Sequence, residues 1–237
     1  VAMARKLLLT LAVVVLAVIG AGVYWFVIRD DSVEKKTTDC DPEPCEVTLD
    51  SVDGTWSVVP AESEGTLVIT EEIGSVLDHQ AEGRTGDITG TLEVDGDTVT
   101  AADLAIDLTG LEFVDQPGGG FDVANRANAM GNTGLQTSQF PEATFTLTEP
   151  LVLDGDLTEG DTATADATGD LTLHGVTRSI TFPVEATADG EQVRVSPADF
   201  IPIVLADHDI TVQTPPMVAR VADEGGFDFL LVLERAA

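Results

Sequence analysis

The residues of this chain with the means to do chemistry are three histidines, two cysteines and an excess of carboxylates. His79, His174 and His208 lie far apart, and no H-x-H or H-E-x-x-H pair joins any two of them as zinc chemistry favours. A hydrolase using His174 or His208 around a metal would need the fold to bring its ligands together. "ADHDI" (Ala206–Ile210) sets His208 between two aspartates, which share one face if the stretch is a strand and are solvated if it is a turn; we read a turn. "DGD" at 95–97 and again at 154–156 opens like a calcium loop but lacks the remaining ligands, so both read as hairpin turns. There is no G-x-S-x-G elbow, and Gly118–Gly120 lack the strand and helix of a phosphate cradle. We expect no catalytic residues and no metal site, and therefore no enzyme.

The one compact constellation left is "GDLTLHGVTRSITFPV", Gly169–Val184. Leu171 and Leu173 alternate before "HGVTR", and Ile180, Phe182 and Val184 alternate after it. Two such runs around a glycine predict two strands joined at a corner. His174 then sits in a connection, where hydrogen bonding nearby or lining a cavity end is expected of it rather than catalysis.

Cys40 and Cys45, in "CDPEPC", are the only cysteines. They are a candidate disulfide for an oxidising compartment, or else two idle thiols; a zinc site would need a second ligand pair.

The elements that position these residues follow from composition and patterning. Of 237 residues, 42 are acidic and 11 basic, a formal charge of −31. Such a surface repels phosphate, so no nucleic-acid partner is expected. Leu7–Ile28 is uncharged, follows Arg5 and Lys6, and carries Tyr24 and Trp25 near its far end. It is long enough to cross a bilayer, longer than the apolar core of a cleaved signal peptide, and offers no clean cleavage site. The expected organisation is a cytoplasmic N-terminus over 1–6, a transmembrane signal anchor over 7–28, and an acidic, proline-bearing linker over 29–46. A β domain over 47–237 follows, placed outside the cytoplasm at the cell membrane.

From Val47 onward, short period-2 runs alternate with turn residues, and Asp95-Gly96 marks a hairpin. Eight to ten strands with short connections predict an all-β sandwich or barrel, and closure would remove the open edges. Asn125–Gln139 breaks the alternation and reads as a short helix or lid-like excursion. A closed barrel of about eight strands holds side chains or one slender ligand. The large apolar residues are then candidates to line its interior: Phe113, Phe121, Met130, Phe140, Phe145, Leu173, Phe182, Phe200, Phe227 and Phe229, with His174 at its end.

The Gly169–Val184 stretch resembles the signature of the YceI-like family, a strand ending L-T-hydrophobic-H-G-V-T, a basic residue, then a second strand. Arg126–Thr148, with "FPEATFTLT" after an arginine and a polar stretch, is similar to a second family segment; "TWSVVPAES" and "SPADF" resemble its opening strand and a late turn. The likeness runs from about Val52 to Glu234. Glu62–Leu67 lacks the histidine and phenylalanine of the family's opening run, and Asn128, Met130 and Leu135 stand where an H-L pair is usual. The resemblance implies an extended antiparallel, lipocalin-like barrel of about eight strands with an apolar tunnel. It implies a polyisoprenoid, an isoprenoid quinone or a similar long-chain amphiphile as partner, and no catalytic cofactor. The competing reading is a non-catalytic interaction module with a solid core and an acidic docking surface.

Overall fold

The computed structural model describes residues 33–41, 43–73, 77–115, 123–214 and 218–236. The expected membrane span over 7–28 lies outside them, as does Phe121. Among the described residues, no helix is long and apolar enough to cross a membrane.

Thirteen antiparallel strands carry the fold among these residues. They are β1 (Gly54–Val58), β2 (Glu64–Ile73), β3 (Leu77–Thr85), β4 (Ile88–Asp95), β5 (Thr98–Asp107), β6 (Glu112–Phe113) and β7 (Glu142–Leu147). After them come β8 (Leu151–Val152), β9 (Ala163–Leu173), β10 (Val176–Asp189), β11 (Gln192–Pro197), β12 (Ile201–Val204) and β13 (Val218–Arg235). Eight strands pair in the cyclic order β1-β4-β5-β7-β9-β10-β11-β13, and β13 returns to β1 through Trp56↔Arg235 and Val58↔Leu233. Closure leaves this ring without a free edge. Of the sandwich or barrel expected from the alternating runs, the barrel, which the family resemblance implied, is the observed architecture.

Long β13 serves two sheets. Its last turns of chain pair with β11 and β1, while its first half pairs with β12 and with β2, which carries β3 and β6. This flank extends the barrel at one end. There, α1 (Val123–Ala129) runs into a single π turn, Met130–Gly134, which answers the helical excursion expected over 125–139. The polar strand β3 escapes hydropathy patterning altogether, because "LDHQAEGRT" has no apolar alternation.

Period-2 alternation decides the core. Phe229, Leu231 and Leu233 of β13 face the same way as Phe182, Val184 and Ala186 of β10, and all are buried in one cluster with Trp56 and Ile88. A second, smaller cluster joins Ile69, Ala81, Phe113, Met130, Leu135 and Ile210 beneath the helical segment.

Cys40 and Cys45 are joined by a disulfide, their Cα atoms 5.3 Å apart. The chain around them is laid on the barrel wall rather than hanging free as a spacer. Val33 N–H donates to Gln80 (2.9 Å), Lys36 N–H donates to the Asp228 carboxylate, and the Thr38 and Thr187 hydroxyls meet at 2.8 Å. Asp228 points away from the lumen, between inward Phe227 and Phe229, yet is fully buried under this strap.

Candidate ligand-binding site

The corner that carries His174 is a two-residue hairpin. Leu173 pairs with Val176, and His174 (φ 52°) and Gly175 (φ 74°) both take the left-handed backbone of a type I′ turn. Gly175 is needed twice over, since a Cβ there would also lie 2.6 Å from the Phe140 ring. The His174 ring meets Phe140 edge to face at 4.6 Å between centroids. Its Nδ1–H donates to the His208 carbonyl (3.0 Å), while His208 Nδ1–H donates to the Val176 carbonyl (3.1 Å). His208 lies on the one-turn 3-10 helix Leu205–His208, so the aspartates beside it belong to a turn, not a strand. These two histidines fasten the hairpin to that turn. No group of His, Cys, Asp and Glu among the described residues is arranged to hold a metal ion.

The lumen of the ring holds the candidate site. One apolar cavity of about 60 Å³ is bounded by residues that include Ile88, Leu104, Ile180, Ile201, Phe145, Phe182 and Phe229. Another, of about 80 Å³, lies towards the helical end and reaches Gly65, Leu67, Leu108, Leu111, Leu135 and Leu173. Ile106, Ala143, Leu171, Ile203 and Phe227 border both, so the two cavities adjoin and together make up the tunnel. Apart from the hydroxyl-bearing Thr144 and Thr85, every lining residue is apolar. Protein interiors rarely leave such space unfilled. At about 24 cal/mol per Å³, a void of about 80 Å³ costs about 2 kcal/mol of stability. A tunnel that stays open at that cost is suited to an apolar guest.

Of the candidate lining residues, Phe145, Phe182, Phe227, Phe229 and Leu173 border the tunnel. Phe113 and Met130 do not; they pack in the second cluster, with the Arg126 guanidinium 5.3 Å over the Phe113 ring. Phe140 and His174 pair at the hairpin corner. Phe200 covers Gly226, on the side of β13 opposite to inward-facing Phe227. The face of a strand, not the bulk of a side chain, decides which residues border these two cavities. The aliphatic lining residues stand on period-2 rows of their own strands, Ile106 with Leu104, Leu171 with Leu173, Ile203 with Ile201, and Ile180 with Phe182. Gly169 leaves room for the Phe145 ring, since a Cβ there would collide with its tip.

A buried ion network ties the helical end shut. Arg126 of α1 makes a two-pronged contact with Glu71 of β2, at 3.2 and 2.7 Å, and donates to both oxygens of Asp115 at 2.7 and 2.6 Å. His79 of β3 donates to Asp115 at 2.7 Å, and Glu82 N–H at 3.0 Å. Burial opposes ionisation of Asp115, but the hydrogen bonds from His79, Arg126 and Glu82, with the Arg126 charge, hold its carboxyl below the usual carboxylate range. No spacing rule links residues 71, 79, 115 and 126, and nothing in the sequence marks them as partners.

A family model described as the YceI-like domain matches residues 56–233. Among solved structures, the chain is similar to a polyisoprenoid binding domain from Saccharophagus degradans implicated in plant cell wall breakdown. That likeness has a TM-score of 0.58 and 19% identity over 76% of this chain and 98% of the other. It is also similar to Burkholderia cenocepacia BcnA, with a TM-score of 0.54 and 20% identity over 74% of this chain and 98% of that one. No curated protein sequence matches the chain. The matched span begins at Trp56 in β1 and ends at Leu233 in β13, the strands whose pairing closes the ring. The chain belongs to the YceI-like family.

Proposed function

We propose that this protein is a membrane-anchored, extracytoplasmic carrier that holds a long-chain isoprenoid, an isoprenoid quinone or a similar amphiphile in its barrel. The observation that carries the reading is the pair of adjoining lumen cavities with an uncharged, almost wholly apolar lining. The hydrophobic effect supplies the affinity, at about 25 cal/mol per Å² of apolar surface buried, before the cost of association. The polyisoprenoid binding domain with the same fold supports this class of ligand. The described lining residues are suited to retention and delivery of an apolar chain. The uncharged run Leu7–Ile28 supports the anchor, and the Cys40–Cys45 disulfide supports an oxidising compartment.

The test is organic extraction and native mass spectrometry of the full chain purified from a bacterial membrane, followed by titration with linear prenyl alcohols. Co-purified isoprenoid or saturable prenyl binding is expected. A protein that carries no lipid and binds no prenyl chain would instead be the interaction module. Its side of the membrane is tested by reaction of a cysteine introduced at exposed Glu234 with an impermeant maleimide in intact cells.

A further inference from the structure

The tunnel does not run the length of the barrel. A third apolar cavity, of about 70 Å³, lies at the far end and is bounded by residues that include Trp56, Leu92, Val184, Ala186 and Leu233. It shares no lining residue with the other two. The boundary falls at one level around the ring. On β10 it lies between Phe182, which borders the tunnel, and Val184, which borders the chamber; on β13 it lies between Leu231 and Leu233.

Three rings stand on the tunnel side of that boundary, and none of them borders the chamber. Phe145 and Phe182 meet edge to face with centroids 5.4 Å apart, and Phe182 meets Phe229 edge to face at 6.3 Å. They come from β7, β10 and β13. In the cyclic strand order, β7 and β13 are four steps apart in a ring of eight, on opposite sides of the lumen. The row of rings therefore reaches from one side of the lumen to the other by way of β10. Ala167, the partner of Phe182 on β9, is small enough to leave room for the central ring.

Resting on the proposed function, we infer that Phe182, held between Phe145 and Phe229, is a partition that sets the maximum chain length the tunnel accepts. A chain lying in the tunnel ends against it, and the chamber beyond stays closed to ligand. Removing the central ring joins chamber to tunnel and admits a longer chain.

Trp56 lines the chamber and reports on it, once Trp25, the other tryptophan, is replaced by phenylalanine. The full chain carrying Trp25→Phe is titrated with farnesol, geranylgeraniol and solanesol, and with an acyl chain brominated at its terminal carbon. The expected result is that Phe182→Ala raises affinity for solanesol about tenfold, equivalent to about 1.4 kcal/mol, with little change for farnesol. The brominated chain should quench Trp56 in Phe182→Ala and not in its parent. Phe182→Leu, a milder change, should shift both readouts the same way and serves if the alanine variant does not fold. Ala186→Leu, which fills the chamber, should leave the parent's binding unchanged and cancel the gain of Phe182→Ala. Quenching of Trp56 in the parent, an unchanged length preference in both Phe182 variants, or loss of solanesol binding on Ala186→Leu alone would each overturn the partition while leaving the carrier function standing. Failure of every chain to bind every protein overturns the carrier function and the partition with it.

Discussion

His174 and His208 hold each other's segment by the backbone: one ring donates to the His208 carbonyl and the other to the Val176 carbonyl, at 3.0 and 3.1 Å. The reciprocity uses Nδ1 of each ring. It makes the family's histidine a fastener of the hairpin at the tunnel's helical end. His174 also accepts a left-handed backbone that few residues adopt without strain.

Loss of the His174 ring leaves a buried carbonyl without its donor. His174→Ala is expected to lower unfolding free energy by about 2 kcal/mol, from the lost bond and the carbonyl left unmet. Asparagine tolerates the left-handed region better than alanine, so His174→Asn should cost less. Urea unfolding of the two variants checks the order; equal stability of His174→Ala and the parent would remove the fastener role.

The ion network should be worth more than any surface pair. Arg126→Met strands Glu71 and Asp115 in a buried setting, and breaking such a pair from one side costs about 3–5 kcal/mol. Because Arg126 ties α1 to β2 through Glu71, hydrogen exchange should accelerate first over residues 123–134. Uniform acceleration across the barrel would show that the network supports the whole fold and not this end alone.

Asp228 gives a pH dependence of definite sign. Burial raises its pKa above the ordinary 3.8, against the opposing pull of the Lys36 and Phe229 N–H groups and the charges of Lys35 and Lys36. A carboxyl whose folded pKa lies above its unfolded one stabilises the protein fully below the unfolded value, and that contribution is lost as pH rises through the folded value. Asp228→Asn should therefore flatten the stability profile just above pH 3.8. Asp115 works the other way: its contribution is present above the ordinary value and lost as pH falls through its lowered one. Urea midpoints of parent and Asp228→Asn across this range isolate the first effect, and parallel profiles would contradict it.

Ala143 borders both parts of the tunnel. Filling a void stabilises by about 0.5–2 kcal/mol where the new side chain fits, whereas a ligand loses the same space. Ala143→Leu should raise the melting temperature and weaken prenyl binding together. A variant that binds as well as the parent would place the ligand elsewhere.

The strands of the ring were legible because alternation is local. Leu104 and Ile106, Ile180 and Phe182, and Phe227 through Leu233 announce their inward rows two residues at a time. The "HG" corner was legible too, since two residues between alternating runs leave room for little but a tight turn. β3 was not, because its burial rests on polar residues whose partners lie on β2, after β6 and on α1. Nor was the strap over Asp228, whose acceptor stands 192 positions from the Lys36 N–H it receives.

The period-2 apolar rows were enough to establish an all-β domain, sandwich or barrel, with one apolar face to each strand, since hydropathy and turn chemistry act between near neighbours. Only the tertiary structure decided which apolar residues meet the lumen, where Phe182 interrupts it, and which buried charges answer one another. Those depend on strand register and on contacts between residues far apart in the chain, which no local pattern encodes.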